Sequence, residues 1–229
     1  MKTVAIITAR GGSKRIPQKN IKEFLGKPII AYSIEAALES NAFDEVMVST
    51  DSGTIADIAV KYGARVPFMR SEAASNDYAT TADVLAEVLD TYKNTGKEFD
   101  YFACIYPTAP FITAAKLAEA MSVVIREKAD ALISVVKYSF PPQRAFVIRD
   151  GVLKFQYPEF ERTRSQDLDP IYHDCGQFYI CSSEGLLKRH TLLQPKTVPF
   201  IIPEEEVQDI DTMSDWAIAE AKYSVLHRK

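Results

Sequence analysis

Four cationic side chains lie within ten residues of one another near the start of the chain, and they are the residues best placed to do chemistry. They are Arg10, Lys14, Arg15 and Lys19, with Gly11, Gly12 and Ser13 between the first two. Cationic side chains form charge-assisted hydrogen bonds with phosphate oxygens, and glycines leave backbone N–H groups free to turn toward an anion. We therefore predict that residues 9–20, here called the phosphate loop, bind a phosphate group.

Two known phosphate-binding motifs are absent from the phosphate loop. A Walker A loop needs Lys followed by Ser or Thr after its last glycine, and a dinucleotide fingerprint needs Gly-x-Gly-x-x-Gly. The phosphate loop has neither spacing. It does directly follow an apolar, β-branched run over residues 3–8, which predicts a buried strand before it. The alternative interpretation is a basic turn exposed to solvent, which is the usual state of a charged run.

A second candidate site is a pair of carboxylates, Asp209 and Asp211, on either side of Ile210. On an extended segment residues i and i+2 point the same way, and two like charges at that separation repel unless a cation lies between them. Oxygen ligands of this kind suit Mg²⁺. The alternative, which is compatible with the first, is that Asp211 or Thr212 caps the last helix with Asp215 in a capping box.

Composition restricts the class of protein. A length of 229 residues favours a single domain over residues 1–229, and the net charge of −4 argues against a general nucleic-acid binder. No apolar run is long enough to span a membrane, and the N-terminus lacks the pattern of a signal peptide. Three widely spaced cysteines fit neither a disulfide framework nor a zinc site, so we expect a cytoplasmic protein.

The segments that would position the candidate residues alternate between strand and helix patterns. Strands are predicted over residues 3–8, 45–49, 65–69, 99–106, 131–136, 176–181 and 197–202. Helices are predicted over residues 28–40, 53–62 and 79–94, from residue 113, and over 183–189 and 212–227. This alternation is typical of an α/β fold with a Rossmann-like, mostly parallel sheet and helices on both faces.

The alternation is interrupted between residues 138 and 174. Asp150-Gly151, between apolar alternations over residues 146–155, predicts a β-hairpin, and residues 156–174 are polar without a clean period. We predict that residues 138–174 form a small inserted β-rich arm.

Ligands of open α/β sheets bind beyond the carboxyl ends of the strands, so polar residues that follow predicted strands are candidates. Arg70, Asp77 and Thr81 follow the third predicted strand, although Asp77 has the alternative role of capping the next helix. Residues 50–52 follow the second strand and are equally well explained as a helix cap.

Two later stretches add candidates for a sugar. Residues 106–110 form a turn with two prolines, which is rigid whatever its function. Arg164 and Gln166 in the arm suit a sugar that bears a carboxylate, because a guanidinium binds a carboxylate through two hydrogen bonds. An exposed basic loop is the alternative for the arm residues.

Three stretches carry a resemblance to a known family: Ala-Arg-Gly-Gly-Ser-Lys-Arg-Ile-Pro-x-Lys-Asn in the phosphate loop, Tyr106-Pro107-Thr108-Ala109-Pro110, and Asp209-Ile210-Asp211. They resemble motifs of CMP-sugar synthetases, the cytidylyltransferases of sialic acid and related nine-carbon 2-keto acids. The resemblance runs from residue 3 to the last helix. It implies a nucleotidyltransferase that takes CTP and a 2-keto sugar acid, uses Mg²⁺ or Mn²⁺, and forms a homodimer in which the arm reaches the partner.

The resemblance also implies roles for individual residues, and no general base stands out. Nucleotide binding is implied for Ala9, Arg10, Gly11, Gly12, Ser13, Lys14, Lys19, Asn20, Arg70, Asp77 and Thr81. Sugar binding is implied for Tyr106, Thr108, Arg164, Gln166 and Gln177, and metal binding for Asp209 and Asp211. The implied catalytic residues are Arg10, Lys14 and Asp211.

Departures from the family pattern bear on the substrate. Thr8 stands where the family often has Pro, and Tyr106 stands where its acceptor turn has Gln. The missing carboxamide disfavours N-acetylneuraminic acid, and the spelling of residues 47–52, 106–111 and 172–179 implies pseudaminic acid. Legionaminic acid or another 2-keto sugar acid is the alternative substrate. A nucleotide-binding regulatory module without turnover is the more distant alternative.

Overall fold

The computed structural model describes residues 1–228 of the chain, which contain ten strands and six α-helices. The strands are β1 (Thr3–Thr8), β2 (Glu23–Phe24), β3 (Lys27–Pro28), β4 (Glu45–Ser49), β5 (Tyr101–Ile105), β6 (Ala131–Lys137), β7 (Phe146–Arg149), β8 (Val152–Phe155), β9 (Tyr172–Ser182) and β10 (Thr197–Ile201). The helices are α1 (Ile29–Glu39), α2 (Gly53–Lys61), α3 (Thr81–Asn94), α4 (Ala114–Glu127), α5 (Ser183–Arg189) and α6 (Met213–Leu226).

Six strands form the central sheet in the order β10-β6-β9-β5-β1-β4. All neighbours are parallel except β9, which runs antiparallel to both β5 and β6. Ile7 packs with Ile34 of α1 and Leu117 of α4 on one face, whereas Ile6 packs with Leu85 of α3 on the other. The near-continuous apolar character of β1 follows from burial on both faces. The predicted α/β class, with a mostly parallel sheet and helices on both faces, is confirmed.

The prediction of a third parallel strand over residues 65–69 is wrong. Only Arg65 pairs with the sheet, through a parallel bridge to Met47. The segment leaves the sheet at Pro67, which has no N–H to donate to a strand ladder. It then passes over the end of β4, where the Arg70 N–H donates to the Thr50 carbonyl at 2.8 Å.

The arm contains the predicted hairpin. β7 and β8 pair antiparallel, and the two residues between them have positive φ, 53° at Asp150 and 74° at Gly151. Positive φ at both central residues is the requirement of the favoured two-residue hairpin turn. The arm is shorter than predicted, because β9 begins at Tyr172 and pairs there with Lys137 of β6. The arm therefore covers residues 138–171.

A second short hairpin, β2 with β3, was absent from the sequence-based prediction. It places Phe24 edge-on against Tyr32, Trp216 and Tyr223, at ring distances of 5.5, 5.6 and 5.7 Å. Ile16 of the phosphate loop and Ile210 belong to the same buried cluster. This cluster fixes the segment before α6 against the phosphate loop. Within residues 1–228, no helix has the length and apolar character needed to cross a membrane.

Candidate active site

A cavity of about 690 Å³, here called the first cavity, opens at the carboxyl end of the sheet. Its walls come from the phosphate loop, from the segment before and at the start of α3, and from the turn after β5. Of the sequence-predicted residues it brings together Arg10, Ser13, Lys14, Lys19, Asn20, Arg70, Asp77, Thr81, Tyr106 and Thr108. Candidates from three separate stretches of the chain therefore meet around one space, as expected for an open α/β sheet.

Asp77 is bound by the cations of the phosphate loop. Arg10 Nη1 lies 3.0 Å from Asp77 Oδ1, and Lys14 Nζ lies 2.5 Å from Asp77 Oδ2. The Lys14 ammonium, together with Arg10, lowers the pKa of the Asp77 carboxyl below its usual value. The carboxylate thus sits at the place where a phosphate would meet these two cations.

The alternative that Asp77 caps α3 is wrong. Thr80 is the N-cap, since its hydroxyl accepts from the Asp83 N–H at 3.2 Å and the Asp83 carboxylate accepts from the Thr80 N–H at 2.7 Å. These Thr80 hydrogen bonds, with His190, lower the pKa of Asp83 to about 2. Thr81 then begins α3 with its side chain turned into the first cavity. Because Thr80 and Asp83 form the capping box, the Asp77 side chain is not needed to cap α3.

The backbone of the phosphate loop is held by other parts of the chain. The Gly11 N–H donates to Asp51 Oδ1 at 2.7 Å, so in the structure the partner of this amide is a carboxylate of the same chain. A side chain at position 11 would be crowded, because its Cβ would lie 3.1 Å from Ser52 Cβ. Asn20 Nδ2 donates to the Arg10 carbonyl at 2.9 Å. Ala9 is buried in the core, and Gly12 has open space around it.

Arg70 is a buried cation at the wall of the first cavity. Its Nε donates to Ser49 Oγ at 3.0 Å and its Nη2 to the Ser49 carbonyl at 2.6 Å, which fixes the guanidinium at the end of β4. Burial lowers the pKa of Arg70. Among the residues the structure describes, no carboxylate lies within ion-pair distance of it. A buried charge without an ion pair is costly, so an anionic ligand here would stabilise it.

Tyr106 lines the first cavity and packs against a residue that lines a second one. Its hydroxyl lies 3.4 Å from Thr81 Oγ1, and its ring packs edge-on against Tyr179 at 5.7 Å. Tyr179 lines the second cavity, of about 390 Å³, and its hydroxyl donates to the Asp174 carboxylate. Burial raises the pKa of Tyr106. The two rings therefore separate the cavities, and Asp174 holds one of them in place.

The acidic pair is divided between different surroundings. The Asp211 carboxylate accepts from Arg15 Nη2 at 2.7 Å and Nη1 at 2.8 Å, and Lys19 Nζ lies 3.5 Å away. Asp209 instead lines the second cavity, while Ile210 is buried. Thus Asp211 faces the first cavity's cations, and Asp209 faces the neighbouring space.

The cap of α6 is Thr212, in a capping box with Asp215. The alternative that Asp211 caps this helix is therefore wrong, and its carboxylate is available to other partners. Thr212 is exposed, so its role in the structure is local to the first turn of α6.

Three predicted sugar-binding residues line neither cavity. Arg164 pairs with Asp167 at 2.7 Å within the arm, and Gln166 lies beside it on an exposed turn. Gln177 is buried, and its Nε2 donates to the Glu206 carbonyl at 2.6 Å. The arm residues are thus exposed, whereas Gln177 holds the segment that precedes α6.

Sequence reasoning missed two features that shape the site, which are the role of Asp51 and the carboxylate partner of Arg15. Asp51 was interpreted as part of a helix cap, and Ser52 does cap α2, but the Asp51 carboxylate holds the phosphate loop. Its position at the carboxyl end of a strand was the available signal. Arg15 was counted among the four cations, yet its carboxylate partner lies 196 residues away along the chain.

Comparisons with known proteins find relatives along nearly the whole chain. A family model described as "Cytidylyltransferase" matches residues 4–149. A pseudaminic acid cytidylyltransferase of Campylobacter jejuni is 40% identical over 228 residues, which is 99% of this chain and 98% of that one. A CMP-N,N'-diacetyllegionaminic acid synthase of Legionella pneumophila is 34% identical over 96% of this chain and 95% of its own.

One solved structure tests the fold. The CMP:2-keto-3-deoxy-manno-octonic acid synthetase, complexed with CTP, aligns with a TM-score of 0.72 over 99% of this chain and 100% of that chain. The sequences are 18% identical, so this likeness supports the fold alone.

Proposed function

The chain belongs to the cytidylyltransferase family, and from that premise we propose that it transfers CMP from CTP to the anomeric hydroxyl of a nine-carbon 2-keto sugar acid. We propose pseudaminic acid as that sugar. The observation that carries the proposal is 40% identity to a pseudaminic acid cytidylyltransferase over nearly the whole of both chains. The gathering of Arg10, Lys14, Lys19 and Arg70 around one cavity supports it, since these cations suit a triphosphate.

The proposed reaction is a nucleotidyl transfer at the α-phosphorus of CTP. The oxygen of the C2 hydroxyl bonds to that phosphorus, the phosphorus–oxygen bond to pyrophosphate breaks, and the hydroxyl proton is released. Catalysis of such a step rests mostly on positioning and on stabilising negative charge. Arg10 and Lys14 would stabilise the charge of the phosphates and of the departing pyrophosphate, and Asn20 and Asp51 would keep their loop in shape.

Pyrophosphate release from CTP tests this function, with pseudaminic, legionaminic and N-acetylneuraminic acids and a shorter 2-keto sugar acid supplied in turn. Release that requires both CTP and a sugar acid is the expected result. Binding of CTP without release for any acid would favour the regulatory module. Release with another acid and none with pseudaminic acid would identify that other acid as the substrate and leave the proposed reaction unchanged.

We also propose that Asp209 and Asp211 hold a divalent cation, Mg²⁺ or Mn²⁺, which requires the Asp209 side chain to turn from the second cavity toward Asp211. Within residues 1–228, no group of three or more His, Cys, Asp or Glu side chains is arranged to bind a metal on its own. Two carboxylates nevertheless fit Mg²⁺, which commonly takes one or two carboxylates and completes its shell with water and substrate phosphates. When bound, the cation would supply positive charge at the phosphates. Asp211 would exchange its contact with Arg15 for the cation.

Asp211→Asn keeps the shape of the side chain and removes its charge. We expect it to raise the Mg²⁺ concentration needed for half-maximal turnover by roughly tenfold or more, because even an outer partner of a metal ligand contributes that much affinity. The measurement is turnover against Mg²⁺ concentration. Thr212→Ala is the matched control, since it removes the helix cap, at about 1 kcal/mol of stability, and leaves the carboxylate. Full wild-type turnover in EDTA would contradict the metal role.

The arm supports a proposal about assembly. Its hairpin exposes large apolar side chains, with Ile148 74% and Leu153 60% exposed, and two strands alone are marginally stable. We propose that the arm packs against a second copy of the chain. Arg164 and Gln166 would then be carried toward the partner's sugar site, which would account for their position outside both cavities.

Ile148→Asp is expected to shift the protein from dimer toward monomer, because a charge would be buried in the proposed contact. Light scattering over a range of protein concentrations measures the shift. Val60→Asp, at an exposed apolar residue of α2 outside the arm, is the control and should leave the mass unchanged. A monomeric wild type, or a dimer unaffected by Ile148→Asp, would reject the arm as the interface.

A further inference from the structure

Asp77 links two sides of the first cavity that are otherwise separate. It lies on the irregular segment of residues 71–80, and its carboxylate reaches across to Arg10 and Lys14 of the phosphate loop. The three side chains are partly exposed, at 51% for Asp77, 41% for Arg10 and 75% for Lys14. The link is therefore accessible to an incoming ligand.

The segment that carries Asp77 is held without these ion pairs. At its start the Ser71 N–H donates to Glu87 of α3 at 3.0 Å, and at its end Thr80 forms the capping box. Between them Asn76 Oδ1 accepts from the N–H groups of Tyr78 and Ala79, at 2.8 and 2.9 Å. These hydrogen bonds fix the backbone of residues 71–80, so the Asp77 side chain is not needed for that purpose and can contact the cations of the cavity.

The geometry points to an exchange. We infer that Asp77 occupies the cations of the phosphate loop as a stand-in anion before the nucleotide binds, and that the phosphates displace it; this inference rests on the proposed function. An exposed ion pair contributes little because water screens it, whereas a polyphosphate brings several charges to the same two cations. The pairs therefore keep Arg10 and Lys14 oriented toward the cavity and yield to the substrate. When pyrophosphate leaves, the carboxylate returns and opposes rebinding.

Inorganic pyrophosphate is the probe of choice, because it lacks the base and ribose of CTP, so its binding reports only contacts with phosphate groups. Asp77→Asn is expected to bind pyrophosphate about threefold to tenfold more tightly than the wild type by calorimetry at low ionic strength, as removal of one or two exposed ion pairs implies. Asp77→Glu, which keeps the charge, should bind as the wild type does. Asp90→Asn, at an exposed aspartate of α3, controls for the change in net charge and should also leave the affinity unchanged.

A double-mutant cycle separates exchange from simple repulsion of the ligand. If Asp77 acts through Lys14, Asp77→Asn should tighten pyrophosphate binding less in a Lys14→Ala background than in the wild type. If Asp77→Asn raises the affinity for pyrophosphate equally in both backgrounds, the exchange is overturned. Weaker or unchanged pyrophosphate binding by Asp77→Asn would also overturn it. If these outcomes occur while the wild type still releases pyrophosphate from CTP, the exchange alone fails. If no sugar acid supports release, the proposed function fails.

Discussion

Replacing Arg10 or Lys14 by alanine is expected to cost about 2–4 kcal/mol of transition-state stabilisation, or roughly thirtyfold to a thousandfold in kcat/KM for CTP. Both cations lie in the first cavity and face the same point, where the Asp77 carboxylate lies. Charge that develops on the phosphates as the bond to pyrophosphate breaks would be stabilised there. The loss should therefore appear in kcat as well as in KM.

Neither substitution should unfold the protein. The two side chains are partly exposed, and the loop backbone is held separately by Asp51 and Asn20. Thermal unfolding and steady-state kinetics on the same preparations would separate activity from stability. Lys61→Ala, at an exposed lysine of α2, is the matched control for loss of one cation. Near-normal kcat/KM in both Arg10→Ala and Lys14→Ala would reject the phosphate-binding role.

Pseudaminic acid is expected to exceed N-acetylneuraminic acid in kcat/KM by roughly a hundredfold or more. Tyr106 places a phenol where the related acceptor turn has a carboxamide, so the site offers one hydroxyl and a larger apolar surface. A deoxygenated sugar acid that ends in a methyl group suits this surface. If the sugar has an additional hydroxyl, that hydroxyl would be buried without a full set of hydrogen-bond partners, and the affinity of the site for the sugar would be lower.

Variants of Tyr106 test this selectivity. Tyr106→Gln should lower the ratio of kcat/KM for pseudaminic acid to kcat/KM for N-acetylneuraminic acid. Tyr106→Phe keeps the ring against Tyr179 and should preserve most of that ratio. If the arm carries Arg164 to the sugar site of the partner, as proposed, Arg164→Ala should reduce turnover of both acids through the lost contact with the sugar carboxylate. Equal kcat/KM for the two acids in the wild type would refute pseudaminic acid as the preferred substrate and leave the cytidylyltransferase reaction intact.

Local patterns in the sequence determined much of this protein. The apolar run of β1 and the Asp150-Gly151 turn depend on residues a few positions apart, and both were predicted correctly. The cap of α6 is equally local, and Thr212 was one of the two capping residues that the sequence offered. The spelling of the phosphate loop, of residues 106–110 and of residues 209–211 together indicated the family. Such features can be predicted because they are determined by side-chain period, backbone dihedrals and short motifs.

Contacts between distant parts of the chain were decided only by the tertiary structure. Asp77 meets Lys14 across 63 residues and Arg15 meets Asp211 across 196, and neither pair leaves a local pattern. The failed strand at residues 65–69 had suitable residues but no full partner in the sheet. Ionic partners and strand pairing depend on which surfaces the packed core brings together. The sequence therefore named the cations of the site, whereas the fold determined which carboxylate each one holds.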